Sequence, residues 1–567
     1  MLSSLSLAWA KGYLLDQLGT ADRPVLAGHL AYKYLEPRKV RWHLVLLVLV
    51  PLSLTSSLFP HYSSVILAAI VAWSSYVIVL VIFTIAYRLS PFHPLARYPG
   101  PFICKLTKMH FALVSTGGRQ HIYYHELHRH YGDIVRTGPN ELSFCTPELI
   151  VPMVGPRGMP KAEFWDGQFG EPEQKIFRSL VGIRDPQKHA KIRRIWARGF
   201  TPEALRSYHP ILNKRVSNLI SHFDARVARG QTIDLSKWIS YFTYDVMSDI
   251  AFGDDIEMMQ HQDSMGFWKT MEEAMPTGMV LAHIPWLTNF VYKVPGVAGK
   301  IKIFRESARQ RVLRRLERGS TTQDLFYHLM DEGKLDPTPP AIEQVVSDAA
   351  LTIVAGSDTV SPALCSLFHF IISNPVAYSR LQTEIDNSHV SPEDVQGLSL
   401  LPYLNAALTE TLRIIPPILS GVTRSPLPGS GGFMLGPHLI PEGTTTGMHV
   451  YTLHRDPRNF FLPERFIPER WLPVEQQLAL EPELFKNRDL VIHNPDAFIP
   501  FSCGPADCVG KRFAWQELRA VVCAVLQRFD LQFVKGYDKA TWEGEMCDYF
   551  VLKKAPLPVV LTPRPSQ

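Results

Sequence analysis

The stretch Phe501-Ser502-Cys503-Gly504-Pro505-Ala506-Asp507-Cys508-Val509-Gly510 holds a cysteine in a tight loop between two glycines. It leads directly into an amphipathic helix marked by Ala514, Leu518, Val521 and Val525. Glycines let backbone N–H groups approach a sulfur closely, and a helix N-terminus favours thiolate over thiol. Cys508 is therefore suited to be an anionic metal ligand. Taken by itself, the loop suits a buried structural cysteine equally well. Cys503, five residues upstream, is the rival ligand and lacks glycines on both sides.

Two further constellations carry chemistry. Ala355-Gly356-Ser357-Asp358-Thr359 sets a polar pair in a largely apolar helix, beside a glycine that weakens the helix by about 1 kcal/mol relative to Ala. This predicts a local gap with room for a diatomic ligand and water; capping a second helical segment is the plainer use of Thr359. Glu410 and Arg413 stand one turn apart on one helix face, so the carboxylate can hold the guanidinium. In isolation such a pair reads as a surface ion pair of little worth.

With Phe466-Ile467-Pro468-Glu469-Arg470-Trp471 between them, these motifs follow one another in an order that resembles the cytochrome P450 family. Phe501, Gly504, Cys508 and Gly510 match its haem-ligand loop Phe-x-x-Gly-x-Arg-x-Cys-x-Gly. Ala355 to Thr359 match its oxygen-activation motif, and Glu410 and Arg413 match Glu-x-x-Arg. Phe466 to Trp471 match Phe-x-Pro-Glu-Arg-Trp. In detail the chain is similar to fungal membrane-bound members. The resemblance implies a mainly α fold with small β-sheets, set behind an N-terminal transmembrane anchor. It implies haem b on the Cys508 thiolate, which pushes electron density onto iron and favours heterolytic O–O cleavage. Thr359 would steady the iron-bound peroxo group and Asp358 would feed protons, while Glu410, Arg413 and Arg470 lock the core beneath the haem. His189 and Arg193 resemble the His-x-x-x-Arg pattern of the helix that meets the propionates, and Arg424 sits where another propionate arginine is common. One position departs from the pattern: Ala506 replaces the arginine that pairs with a propionate, a charge-assisted contact worth about 1.5–3 kcal/mol.

The activity implied is a haem-thiolate monooxygenase acting on a C–H bond or C=C of a lipophilic small molecule of secondary metabolism, such as a terpenoid, polyketide or indole alkaloid. No dinucleotide fingerprint is found, so NADPH electrons would come through NADPH–cytochrome P450 reductase, with cytochrome b5 as an accessory donor. Lys191, Arg194, Arg198, Lys511 and Arg512 could dock an acidic reductase surface, or simply form a solvated face. Two alternatives stand beside this reading. One is a family member that isomerises or dehydrates its substrate without O2 or reductase. The other is a non-catalytic haem-binding membrane protein, suggested by Ala506.

The elements that position these residues follow from length and patterning. The 567 residues are 46% hydrophobic and 20% charged, which excludes a disordered chain. The net charge of 58 − 53 = +5 carries no long basic run, so nucleic acid is not expected as a partner. Seven dispersed cysteines without a CxxC spacing suit a reducing compartment. Val65 to Ala86 lacks any charge, and its 22 residues span about 33 Å as a helix. Leu44 to Phe59 spans only about 24 Å, as the first arm of a hairpin or as an interfacial segment. Arg38, Lys39, Arg41 and Arg88 flank the two runs, placing both hairpin ends in the cytosol. That organisation gives an anchor over 1–90, a Pro-rich hinge over 91–101 and a haem-binding domain over 102–567. The domain would face the cytosol from the endoplasmic reticulum membrane.

Within the body, 133–136 and 141–144 read as a hairpin and 341–373 as one long helix. Leu404, Leu408 and Leu412 mark another helix, and short strands are expected around 421–424 and 436–440. His121, His125 and His128 have a zinc-like spacing but read as a wet amphipathic face. Gly429 to Gly432 reads as a turn. Met258, Met259, Met265, Met271, Met275 and Met279 suit an adaptable apolar pocket wall or an ordinary core.

Overall fold

The computed structural model describes residues 22–35, 40–169, 177–253, 257–264, 266–291, 299–319, 323–336 and 338–565. Met265 and the Arg38–Lys39 flank lie outside the described residues. Two N-terminal helical runs, α1 (Trp42–His61) and α2 (Val65–Leu89), are each long and apolar enough to cross a membrane. The first is longer than the apolar run alone suggested. Helical geometry continues through Trp42 and His61, so 20 residues reach about 30 Å and an interfacial position is not required. Pro51 and Thr55 on α1 and Ala68 and Ala72 on α2 are buried, because small residues let the helices approach closely, and Tyr76 of α2 is buried against Gly28. Ile66, Ile70, Ile78 and Ile82 stay exposed around α2.

The Pro-rich segment after α2 is docked rather than free. Leu95 and Tyr98 are buried, the Arg136 amide donates to the Pro99 carbonyl at 2.7 Å, and the Arg136 guanidinium meets the His93 ring at 3.3 Å. Arg136 belongs to β1 (Ile134–Gly138), which pairs antiparallel with β2 (Glu141–Phe144). β3 (Val422–Arg424) and β4 (Thr445–Met448) complete a four-stranded sheet in the order β1-β2-β4-β3, with β2 and β4 parallel. The expected strand near 436–440 is the His438–Ile440 arm of a small hairpin with Phe433–Leu435.

The rest is mainly helical. α3 (Pro186–Arg198) starts at Asp185, whose carboxylate caps the amides of Gln187 and Lys188. α4 (Leu235–Phe252) lies along the 32-residue α5 (Ile342–Ser373), whose apolar character reflects burial in the body. α6 (Pro402–Ile414) and α7 (Lys511–Arg528) pack beside it in the main core. α5 stops where Asn374 caps the next helix, as Asn-Pro dictates.

The tightest feature of the core is Glu410. Its carboxylate accepts from Arg413 Nε (2.8 Å) and a second Arg413 nitrogen (2.9 Å), Arg470 Nε (3.1 Å), the Ile467 amide (3.0 Å) and Trp471 Nε1 (2.9 Å). All three ionic side chains are buried. Four more guanidinium bonds go to the carbonyls of His454, Arg465, Phe461 and Leu462. Desolvation alone would raise the Glu410 pKa, but Arg413 and Arg470 outweigh it and hold it down at about 2.

A folded-state pKa below the ordinary value means stability that is present above about pH 4.5 and lost as pH falls towards 2. Glu410→Gln should strand two buried guanidinium groups, costing on the order of 3–5 kcal/mol. The expected result is little folded protein and a sharply lower thermal midpoint, which expression yield and a melting curve would measure.

Candidate active site

The Cys508 loop is folded by its own backbone. The Cys508 amide donates to the Phe501 carbonyl at 3.0 Å and the Asp507 amide to Gly504 at 3.1 Å. Gly504 has φ +80°, and a Cβ there would stand 2.3 Å from the Val154 carbonyl oxygen, so only glycine lets the loop seat against 154–155. Gly510 precedes α7, which opens at Lys511.

The loop is also tied to the Glu410 cluster. The Ile499 amide donates to His454 Nε2 at 3.0 Å, and His454 Nδ1 is 3.0 Å from the Arg413 carbonyl. Nε2 must accept, so Nδ1 carries the proton and donates. Burial, with Arg413 adding to it, pushes the His454 pKa down to about 3 and keeps the ring neutral.

Cys508 retains an exposed face, yet burial of the loop pushes its thiol pKa up. The Gly510 amide, Arg193 and Lys511 act the other way but do not win. Burial thus opposes the thiolate that the flanking glycines and the helix N-terminus favour. Cys503 is half-buried against the small core of Leu142, Phe144 and Met153. Its pKa is likewise raised by burial, with Arg424 opposing.

The Ala355–Thr359 turn is the accessible interruption in α5. Ala355 is exposed and Thr359 half-exposed, one turn apart on one face, amid buried neighbours. Thr359 Oγ1 donates to the Ala355 carbonyl at 2.6 Å. It is not an N-cap, since α5 continues through it. Asp358 points the other way and is buried, and its Oδ2 has no partner. Burial pushes its pKa up to about 7, with Lys554 opposing and Glu272 adding. Gly356 opens no gap. A Cβ there would lie 2.4 Å from the Met247 sulfur, so the glycine exists to let α4 approach α5.

His189, Arg193 and Arg424 come together, and a residue absent from the sequence reading joins them. Lys161 forms a bridge with Arg424, and its Nζ donates to the Val181 and Leu180 carbonyls at 2.6 and 3.2 Å. Lys161, Arg424 and His189 are all buried. Each has its pKa lowered by burial first: His189 to about 4, Lys161 to about 7 and Arg424 to about 10. Neighbouring cations add to the effect on His189 and Lys161. Arg193 is the exception. It is bound to Asp507, to the carbonyl and to Oδ1, at 2.6 Å each. Lys161 was hidden in the sequence because a lone lysine in a polar loop carries no spacing signal.

Other expectations are corrected. His121 and His128 are buried, not wet. His128 meets Ser143 Oγ at 2.6 Å and the Gly132 carbonyl, while His121 and His125 stand edge-on to Tyr451. Arg198 is engaged by Asp331 and Asp336, whereas Lys191, Arg194, Lys511 and Arg512 are exposed. Met258 and Met259 are main-core residues whose amides Asp245 accepts. Gly429 to Gly432 does form the turn before the small hairpin.

The model of the cytochrome P450 family matches residues 99–560. Cytochrome P450 67 of Uromyces fabae is 32% identical over 486 residues, covering 84% of this chain and 88% of that protein. Tryprostatin B 6-hydroxylase of Aspergillus fumigatus is 29% identical over 566 residues, covering 96% of each. Trichothecene C-15 hydroxylase of Fusarium sporotrichioides is 29% identical over 508 residues, covering 86% of this chain and 96% of that protein. The chain belongs to the cytochrome P450 family, as a haem-thiolate monooxygenase.

The residues present fit that cofactor. An accessible cysteine sulfur in a glycine-shaped loop at the start of α7 suits a haem iron. Buried cations without an acidic partner suit the two carboxylates of a haem b. The Gly504 contact makes the loop sensitive to a single methyl group. Gly504→Ala should displace it from Val154 and lower the fraction of purified protein carrying haem at least several-fold, read as the Soret-to-protein absorbance ratio.

Proposed function

We propose that Cys508 is the haem ligand and that the protein hydroxylates or epoxidises a lipophilic small molecule of fungal secondary metabolism. The observation that carries the assignment is the Cys508 loop itself: an accessible sulfur at the start of α7, seated by Gly504, with buried Lys161 and Arg424 that no carboxylate pairs with among the described residues. Bound haem supplies the activation of O2; the chain's residues do the rest. Phe501, Gly504 and Gly510 shape the loop around the sulfur, and His189 and Arg424 hold the propionate edge. Arg193 braces the loop through Asp507 and contributes positive potential from there.

Asp358 and Thr359 are the proton-handling pair. Thr359 lies on the accessible face, where its hydroxyl can swing from the Ala355 carbonyl to the reacting oxygen. Asp358, with a free oxygen and a pKa near 7, holds a proton ready at neutral pH and recovers it from the Lys554 side. This pair favours O2 chemistry over a reductase-independent rearrangement. Substrate binding would draw on the segments around 150–185 and 250–300 and on α5 upstream of Ala355.

Electrons would come from NADPH through NADPH–cytochrome P450 reductase, with cytochrome b5 as an accessory donor. Lys511 and Arg512 line a surface groove of about 780 Å³ together with Leu205, Arg206, Trp515 and Arg519. Glu393 and Asp394 line the same groove, and Lys191 and Arg194 are exposed on α3; Lys191, Arg194, Lys511 and Arg512 would meet an acidic partner. α1 and α2 would anchor the chain in the endoplasmic reticulum membrane as a hairpin over 1–90. The docked 91–101 segment would orient the body against the membrane surface, and 102–567 would form the haem domain facing the cytosol.

The test of the ligand is the carbon monoxide difference spectrum of reduced microsomes. Cys508→Ala should abolish a red-shifted thiolate-type Soret band, and Cys503→Ala should retain it. Loss with Cys503→Ala alone, or no band in well-expressed wild type, would overturn the assignment.

The proton role has its own signature. Asp358 is protonated below about pH 7 and ionised above it, so product formed per NADPH consumed should fall as pH rises through 7. Asp358→Asn should lower turnover on the order of 10²-fold and remove that pH dependence, as measured by product and peroxide yields across pH 6–8.5 (about the range a His or raised carboxyl titrates).

A further inference from the structure

Ala506 removes a positive charge from the place where a haem carboxylate would meet the Cys508 loop, yet this side of the site is not short of cations. Lys161 is buried beside Arg424, fixed to it by the antiparallel bridge between their backbones. The segment is held from several sides. The Ser425 amide donates to Pro160, the Ala162 amide to Thr423, and Arg184 Nε to the Lys161 carbonyl. Two Nζ hydrogens reach the Leu180 and Val181 carbonyls, and those residues are pinned in turn by the Leu180 amide on Asp348. An ammonium has three donors, so one remains.

No acidic side chain pairs with Lys161 or Arg424 among the described residues. Three carboxylates of the surrounding segments are already committed: Asp166 to Arg178 and Arg184, Asp507 to Arg193, and Asp348 to the Leu180 amide and Gln344. Lys161 also stands over the Trp165 ring at 5.3 Å, and Arg424 donates to the Thr423 carbonyl. Neither neutralises a charge, so burying an ammonium beside a guanidinium is costly unless an anion completes the set. A purely structural lysine that clamps 180–181 would gain nothing from standing next to Arg424.

We propose that Lys161, with Arg424, holds a haem propionate in place of the loop arginine that this chain lacks at Ala506. The inference rests on the haem-thiolate reading above and assigns a residue of this chain to that group. The cation has moved from the cysteine loop to the 160–162 segment. There it also couples haem retention to the 177–182 segment packed on α5.

The test is haem loss from the full-length holoprotein in detergent to excess apomyoglobin, followed by absorbance, for wild type, Lys161→Met, Ala506→Arg and the double variant. Lys161→Met should speed haem loss about 10- to 100-fold, in keeping with a charge-assisted hydrogen bond. Adding Ala506→Arg should bring the double variant back to within a few-fold of wild type. If Lys161→Met yields no holoprotein, recovery of holoprotein in the double variant is the same result. Haem loss from Lys161→Met within twofold of wild type overturns the proposal, and so does a double variant no better than the single one, which is the behaviour of a simple backbone clamp. The carbon monoxide spectrum keeps the two readings apart. A thiolate band in wild type with no Lys161 effect sinks this inference alone, whereas no band in wild type sinks the haem-thiolate reading beneath it.

Discussion

The constraint on which the rest depends is the convergence of five N–H donors on one buried carboxylate. Glu410 collects two donors from Arg413 on its own helix and three from the 467–471 segment, which contributes Ile467, Arg470 and Trp471. A buried ion triad is not favourable for its own sake, since desolvation consumes much of the Coulomb gain. Its value here is directional. Four further guanidinium hydrogen bonds go to backbone carbonyls between 454 and 465. A long irregular stretch of chain thereby acquires a single position. Phe466 stacks on Phe370 at 5.0 Å and carries that order into α5.

Neutral His454 transmits the constraint to the chemistry. One ring nitrogen donates to Arg413 and the other accepts from Ile499, two residues before Phe501 opens the cysteine loop. The loop is then closed by its own turns and by Gly504 against Val154, and braced from α3 by Arg193 on Asp507. The proposed ligand Cys508 is therefore positioned by long-range contacts, while burial of the loop raises its thiol pKa. The protein supplies geometry and nearby positive charge, and a bound iron would stabilise the thiolate.

Much of this was legible in the sequence. Periodicity found α5, α6 and the hairpin of β1 and β2, because apolar spacing reports which face is buried. Asn374-Pro375 marked the end of α5 for a local steric reason. What was not legible depended on a partner distant in the chain. Gly356 reads as a gap in one helix and is in fact the contact point for Met247 of another. His121, His125 and His128 look like a wet stripe until β2 and Tyr451 are placed over them. Arg198 looks like a free surface cation until Asp331 and Asp336 take it.

The sequence by itself determined the family, the Cys508 loop, the Asp358–Thr359 pair and the two apolar N-terminal runs, because each rests on residue type at short, fixed spacing. Only the tertiary structure decided what each charge meets. It buried Glu410 with two arginines, spent Arg193 on Asp507, and brought Lys161 beside Arg424 across 263 residues of chain. Electrostatic pairing acts through space and burial, and a sequence records neither until the chain has folded.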